Sequence, residues 1–359
     1  MRPVSTQAFP LRAAPPREAA TDVARIAWVD YAKGVCIVLV VMMHSTLGVQ
    51  EAAGETGFMD WVVAFARPFR MPDFFLISGL FIGLVIDRDW RTYLDRKVVH
   101  FAYFYVLWLL IQGAFKWPSL AMAEGPLAVA EAFGLALIEP FGTLWFIYLL
   151  PIFFVSAKLL RGVPPVLVLA VGALLESTDL HTGWIVIDEF ASRWIYFLVG
   201  WYGARYAFLL ADKAAEWPGL ALLGLAAWAG VNAAAVATGV ATLPGVSLAL
   251  GLAGAGAVIA TAALLARFGI ANALRYAGEN SIVVYLAFFL PMAVTRTVLL
   301  KTGIVADVGL ISLLVTLVAV VAPLILHVLV RQTSPFKYLF VRPDWARLDR
   351  QAPRLQLAR

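Results

Sequence analysis

Charged residues are scarce in this chain of 359 residues. Only 14% of the residues are charged, against about 25% in soluble domains. Hydrophobic residues make up 62% of the chain and the mean hydropathy is +0.84. So few charges cannot cover the surface of a soluble enzyme of this length. The composition therefore predicts an all-α, polytopic membrane protein, not a soluble enzyme with one anchor.

Cysteine is almost missing, since Cys36 is the only one. One cysteine excludes an intrachain disulfide and a thiol cluster for zinc or iron–sulfur. The sequence also has no metal-ligand spacing, no phosphate-cradling glycine loop and no Gly-x-Ser-x-Gly. We therefore expect no metal and no tightly bound cofactor. Residues 1–24 lack the apolar core of a cleavable signal peptide, and we expect them to form a disordered cytoplasmic tail.

Long apolar runs fill the rest of the chain. Ten stretches near the length that a helix needs to cross a bilayer are predicted at 31–50, 71–86, 98–115, 143–159, 164–176, 191–210, 217–237, 245–266, 281–300 and 308–330. An even number of spans places both termini on one side. Of the 28 Lys and Arg residues, 22 fall in the tails and loops of that side and 6 on the other. The positive-inside rule therefore predicts cytoplasmic termini.

This division gives a membrane domain at 25–331 and a basic cytoplasmic tail at 332–359. The net charge of +5 is explained by the basic loops and tails, so it indicates topology and not a nucleic-acid partner. The expected location is the bacterial inner membrane, with the lipid bilayer as one partner. The sequence predicts no oligomeric state.

Three ionisable side chains lie in or beside the first span, namely Asp30, Lys33 and His44. On a helix, Lys33 and His44 point within about 20° of each other and lie about 16 Å apart along the axis, and Asp30 is about 40° away from His44. An imidazole at that depth is costly, and its ordinary pKa suits proton transfer. We interpret all three as catalytic. The alternatives are a histidine that hydrogen-bonds neighbouring helices and an interfacial ion pair of Asp30 with Lys33.

Two further groups of basic residues are candidates for binding a substrate. Arg67 and Arg70 lie three residues apart before the second span, where two guanidinium groups would suit a phosphate, a carboxylate or a polarised carbonyl. The alternative is a pair that faces lipid phosphates. The run at 87–100 combines basic residues with aromatics, which suits a phosphate-bearing nucleotide such as coenzyme A. Ordinary positive-inside anchoring explains this run equally well.

Several segments resemble the acyltransferase-3 family of multi-span membrane acyltransferases. RIAWVDYAKGVCIVLVVMMH (25–44) resembles the family's opening, and FRMPDFFLISGLF (69–81) resembles its Met-Pro-x-Phe-Phe-x-x-Ser-Gly element. The later segments YLDRKVVHF, TLWFIYLLP, RWIYFLVGWYGA and GENSIVVYL support the resemblance. It implies transfer of an acyl group, with acetyl expected, from cytoplasmic acyl-CoA to a hydroxyl of an extracytoplasmic or lipid-linked glycan.

The resemblance and the residue patterns together give a set of site residues. His44 is the expected general base, with Lys33 and Asp30 beside it. The residues expected to bind substrate are Arg67, Arg70, Ser78, Arg91, Arg96, Lys97, Trp145, Asn280, Ser281 and Tyr285. Both direct transfer and transfer through an acyl-histidine are compatible with this set.

Two departures from the family pattern leave other functions open. Lys33 stands where relatives usually have arginine, and Phe288 stands where many have a histidine. A catalytically degenerate family member is therefore one alternative. A proton-coupled transporter or flippase is another, because such proteins also carry buried charges. Against a transporter, the sequence shows no paired repeats and no interrupted helices in matching halves.

Overall fold

The computed structural model describes residues 26–348, and all regular structure in that range is helical. The predicted tail at 1–24 lies outside the described residues. The α-helices are α1 Ala27–Ala53, α2 Met59–Ala66, α3 Arg70–Gly79, α4 Trp90–Leu94, α5 His100–Glu124, α6 Pro126–Ala136, α7 Trp145–Leu159, α8 Pro165–Ser177, α9 Ile185–Tyr202, α10 Ala204–Glu216, α11 Pro218–Ala237, α12 Val246–Phe268, α13 Asn272–Glu279, α14 Ser281–Ala287, α15 Phe289–Thr302 and α16 Val308–Val330. The prediction of an all-α polytopic membrane protein is confirmed.

Fewer than ten of the described helices are individually long and apolar enough to cross a membrane. Within residues 26–348, six helices are long and apolar enough to cross a membrane: α1, Trp90–Glu124, Gly142–Leu159, α11, α12 and α16. The pair α14 and α15 counts as a seventh if it is one bent span. Helix is present in all ten predicted stretches, but α3 and α8 have only 10 and 13 residues. The number of ten and the cytoplasmic termini therefore remain predictions.

The sequence did not predict several interruptions of these helices. The stretch 71–86 is broken, since α3 ends at Gly79 and a 3-10 turn follows at Ile82–Leu84. A π-helical turn, Asp95–Val99, joins α4 to α5. The helices α14 and α15 meet at an angle of 54°. Irregular backbone at membrane depth is tolerated where protein surrounds it, and Phe288, at the bend, is fully buried.

Helix α1 lies at the centre of the bundle and packs against α3, α12, α13 and α16. Glycines allow the closest approaches. Gly278 of α13 lies directly on the backbone of Asp30, and Gly34 of α1 lies on the backbone of Leu274. At both glycines a Cβ atom would overlap a carbonyl oxygen of the other helix. Small residues of this kind let two membrane helices come into backbone contact.

A second close contact joins α3 to α9. The backbone at Gly200 lies against the carbonyl of Leu76, and the backbone at Gly79 lies against the carbonyl of Phe197. This contact holds the short helix α3 in the bundle, although α3 is too short to span the membrane alone. The positions of the residues on α3 therefore depend on α9.

We predict that Gly200→Ala destabilises the protein by about 1–3 kcal/mol, because the new methyl group forces α9 away from α3. Gly224→Ala is the matched control, since among the described residues no atom lies within 4 Å of its new Cβ. The control is expected to keep or slightly raise stability, because alanine favours helix. Thermal unfolding of the purified variants in detergent measures both effects. Equal unfolding temperatures would contradict the assigned contact.

Candidate active site

A cavity of about 150 Å³ lies between α1, α3, α5, α7 and α14. Four residues predicted from the sequence share it, namely Lys33, Ser78, Ser281 and Tyr285. The rest of its wall is apolar and is formed by Phe74, Ile77, Phe101, Phe146, Ile147, Leu150 and Ile282. The arrangement suits a small, mostly apolar group with a few polar atoms.

The polar residues of the cavity come from three helices, α1, α3 and α14. Lys33 is in the second turn of α1, Ser78 is in the last turn of α3, and Ser281 begins α14. The hydroxyl of Ser78 donates to the carbonyl of Phe74 over 2.7 Å. This local bond holds the hydroxyl close to its own helix at the cavity wall.

Tyr285 fixes the wall of the cavity that α7 provides. Its hydroxyl donates to the carbonyl of Thr143 over 2.5 Å and accepts from the amide of Phe146 over 3.2 Å. Both groups belong to the first turn of the segment Gly142–Leu159, where amide donors lack helical partners. Tyr285 therefore acts as a buried cap that ties α14 to this turn.

A cluster of cations lies at the end of the bundle where α1 begins. Lys97 is close enough to Arg88, Arg96 and Lys33 for their positive charges to repel its own. Its Nζ lies 4.3 Å from the centre of the Phe154 ring. Burial and the Arg96 guanidinium lower the pKa of Arg88 below its ordinary value. We call Lys33, Arg88, Arg96 and Lys97 the cation cluster. Because Lys33 also lines the cavity, the cluster and the cavity are contiguous.

Lys158, which was not predicted as a site residue, holds the backbone next to this cluster. Its buried Nζ donates to the carbonyls of Ile86 and Arg88, each over 2.6 Å. The same group lies 4.9 Å from the Trp90 ring centre and 4.5 Å from that of Tyr93. A lysine near the C-terminus of a predicted span is typical of an anchor to the lipid surface, so no sequence pattern indicated this inward role.

His44 lies further along α1 and does not line the cavity. Its ring centre is 5.5 Å from that of Phe288, the residue that departs from the family pattern. Further ring contacts connect Phe288 to Tyr285 at 6.4 Å, Tyr285 to Phe146 at 5.6 Å and Phe146 to Phe74 at 4.3 Å. We call these four residues the aromatic layer. It separates the cavity from the imidazole of His44.

Arg70, at the start of α3, lies within electrostatic range of His44. Its Nε and Nη1 are buried and have no hydrogen-bond acceptor among residues 26–348. Buried donors without acceptors are costly, so they suit an acceptor supplied by a ligand. Arg67, predicted together with Arg70, is exposed and is close enough to Arg70 to repel it.

Asp73 lies one turn after Arg70 and is only 1% exposed. Neither of its carboxylate oxygens has a donor within the described part of the chain. It is the only carboxylate of α3 and was not predicted as a site residue. Arg70 and Asp73 are thus two groups of α3 with buried polar atoms that have no hydrogen-bond partner in the described part of the chain.

Besides His44, Arg67, Arg70, Arg96 and Lys97, four further predicted site residues lie outside the cavity, namely Asp30, Arg91, Trp145 and Asn280. Asp30 is buried beneath α13. The side-chain Nδ2 of Asn280 donates to the carbonyl of Tyr276 over 2.9 Å, which is a helix-capping bond. Trp145 packs edge-on against Phe146 at 6.5 Å. Arg91 is exposed and donates to the carbonyl of Leu348 over 2.9 Å.

Comparison with known proteins identifies a family for this chain. Residues 26–331 match the acyltransferase-3 family, described as an acyltransferase domain. Inner membrane protein YcfT of Escherichia coli (strain K12) is 26% identical over 200 residues, which cover 49% of this chain and 56% of the relative. The match therefore spans about half of the relative's length. No solved structure matches the chain. The predicted location, a multi-pass protein of the inner membrane, is confirmed.

We predict that Tyr285→Phe lowers stability by about 1–3 kcal/mol, because the carbonyl of Thr143 and the amide of Phe146 lose their partner while buried. The matched control is Tyr276→Phe, on the exposed side of α13. The unfolding midpoint of each purified variant in detergent measures the difference. A midpoint for Tyr285→Phe equal to that of the control would show that the hydroxyl does not hold the cavity wall.

Proposed function

Because the chain belongs to the acyltransferase-3 family, we propose that it is an integral membrane O-acyltransferase. It moves an acyl group, with acetyl expected, from cytoplasmic acyl-CoA to a hydroxyl of an extracytoplasmic or lipid-linked glycan. One observation carries the proposal: the cation cluster, the apolar cavity and His44 follow one another along α1. This is the order in which the phosphates, the thioester and the base have to be arranged.

The end of the bundle where α1 begins faces the cytoplasm in this proposal and receives the donor. The cation cluster attracts the phosphates of coenzyme A, since guanidinium and ammonium groups form strong charge-assisted bonds with phosphate. The apolar cavity receives the acyl end. A cavity of about 150 Å³ has room for a molecule about the size of benzene. Its size therefore favours a short acyl group such as acetyl over a fatty acyl chain.

His44 acts as the general base on the acceptor hydroxyl. It removes the proton as the hydroxyl oxygen attacks the thioester carbonyl, and the tetrahedral oxyanion accepts hydrogen bonds from Nε and Nη1 of Arg70. The carbon–sulfur bond then breaks, and the departing thiolate takes the proton from His44. The products are the ester and coenzyme A. Lys33 stays with the donor, and Asp30 helps to fix the first turn of α1.

The aromatic layer has to open for this reaction, because its rings lie between the cavity and His44. The bend between α14 and α15 is next to Phe288, so a change of that bend would move the ring. The ring of Phe288 occupies the position from which a second histidine would contact His44. In this chain Arg70 is therefore the ionised group that acts beside His44.

A proton-coupled transporter is the second candidate, and the bent helix with the buried Asp73 favours it. A buried carboxylate without a donor in the described range resembles a proton site. The two functions differ in one requirement, since a transporter needs no acyl donor. The cation cluster beside the cavity favours the acyltransferase, because transport of a proton or a neutral solute gives it no role.

We predict that membranes containing the wild-type protein incorporate label from radiolabelled acetyl-CoA into glycans, and that His44→Ala reduces this rate at least about 100-fold, because a general base contributes that much or more. His181→Ala, in the exposed loop before α9, is the control at matched expression and is expected to match the wild type.

Label that is unchanged in His44→Ala would remove His44 as the base. No label with the wild type, when acetyl, propionyl and succinyl donors have each been supplied, would contradict the acyltransferase and favour the transporter.

A further inference from the structure

The residues after α16 fold back onto the cytoplasmic end of the proposed donor site. They form two short 3-10 turns, Phe336–Leu339 and Asp344–Ala346. We call residues 336–348 the C-terminal strap. The sequence predicts only a basic tail at 332–359, of which residues 349–359 lie outside the described range. The strap lies against α4, the π-helical turn and α5.

A buried ion pair joins the strap to the π-helical turn. Nη2 of Arg342 lies 2.6 Å from Oδ2 of Asp95, and Nη1 of Arg342 donates to the backbone carbonyl of Asp95 over 2.7 Å. The amide of Leu348 donates to the other carboxylate oxygen over 2.6 Å. Arg342 is 9% exposed and Asp95 is 4% exposed. Asp95 is thus held through both carboxylate oxygens and its carbonyl.

Contacts with α5 fix the rest of the strap. The indole of Trp108 donates to the carbonyl of Leu339 over 3.1 Å, and the hydroxyl of Tyr103 donates to the carbonyl of Tyr338 over 3.0 Å. The ring of Phe340 packs on Trp108 at 5.8 Å. These contacts are spread over two turns of α5, so the strap is anchored independently of Asp95.

The residue that Arg342 holds is the first of the π-helical turn, and the next two are Arg96 and Lys97 of the cation cluster. A π-helical turn is rare and often marks a functional position. A buried ion pair is an inefficient way to gain stability, because both charges lose their hydration. A gain in stability therefore does not explain the ion pair of Arg342 with Asp95. Its role in orienting the π-helical turn does explain it.

We propose that the C-terminal strap positions the donor site: Arg342, through Asp95, sets the direction in which Arg96 and Lys97 meet the phosphates of the acyl donor. Arg342 is a positioning residue and does not itself touch the donor. The inference rests on the proposed function, since it takes a phosphate-bearing thioester as the donor. It adds a specific consequence: the strap matters for the phosphates of the donor and not for its acyl end.

The test compares two donors, acetyl-CoA and the phosphate-free S-acetylpantetheine, with the full-length protein in proteoliposomes. The main variant is the double substitution Asp95→Asn with Arg342→Gln, which removes both charges together so that neither is left buried alone. Arg347→Gln is the control, because it removes one charge from the same strap but leaves Asp95 and Arg342 unchanged. Arg342→Lys is a milder variant that keeps the charge but loses the two-pronged geometry.

The double variant is expected to raise KM for acetyl-CoA about tenfold, as the loss of one phosphate contact does. Its kcat, and its KM for S-acetylpantetheine, are expected to match the wild type. Arg342→Lys is expected to give a smaller rise for acetyl-CoA only, and Arg347→Gln none. If the double variant fails to fold, Arg342→Lys decides by the same comparison of donors.

An equal change for both donors would overturn the inference, since it would show a general structural role. No change with either donor would overturn it as well. A wild type that is active while its variants are unaffected contradicts the inference alone. A wild type that transfers no acyl group from acetyl, propionyl or succinyl donors contradicts the proposed function, and the inference falls with it.

Discussion

Ionisable side chains on a membrane helix have to be kept from lipid, and this constraint determines the arrangement around α1. The helix carries Asp30, Lys33 and His44 and is enclosed by α3, α12, α13 and α16. Such close packing requires contact between the backbones of neighbouring helices, which glycines such as Gly34 and Gly278 permit. Once α1 is enclosed, short and bent helices beside it are also shielded. The broken helix α3 and the bend at Phe288 are consequences of that shielding.

The enclosure of α1 explains how one helix serves both sides of a transfer across the membrane. Its first turns contribute to the cation cluster and to the cavity, and His44 lies beyond the aromatic layer near Arg70. The proposed reaction therefore needs no movement of α1 itself. What has to move is the set of rings between the cavity and His44. The supports of the donor end, Lys158 and the C-terminal strap, keep the cations fixed while those rings move.

Local patterns in the sequence predicted the helices and part of the site, and the rest depends on contacts that no local pattern contains. The spacing of Lys33 and His44 predicted their common stripe, but only the resemblance suggested that Ser281 and Tyr285 belong near them. Asp95 and Arg342 are 247 positions apart, so their pairing has no sequence signal. The bend at Phe288 does have a signal in the sequence, because Pro291, three residues later, removes a helical hydrogen bond. Proline within α16 leaves that helix continuous, so packing decides which proline bends a helix.

The most direct test of the account asks whether the cavity receives the donor from the cytoplasmic side. Cys36 is the only cysteine, so Cys36→Ala with Ser281→Cys places a single thiol in the cavity wall. Inside-out vesicles are treated with a membrane-impermeant maleimide, with and without acetyl-CoA. Labelling is expected in these vesicles, and acetyl-CoA is expected to prevent it. Labelling that acetyl-CoA leaves unchanged, or labelling only in right-side-out vesicles, would contradict the account.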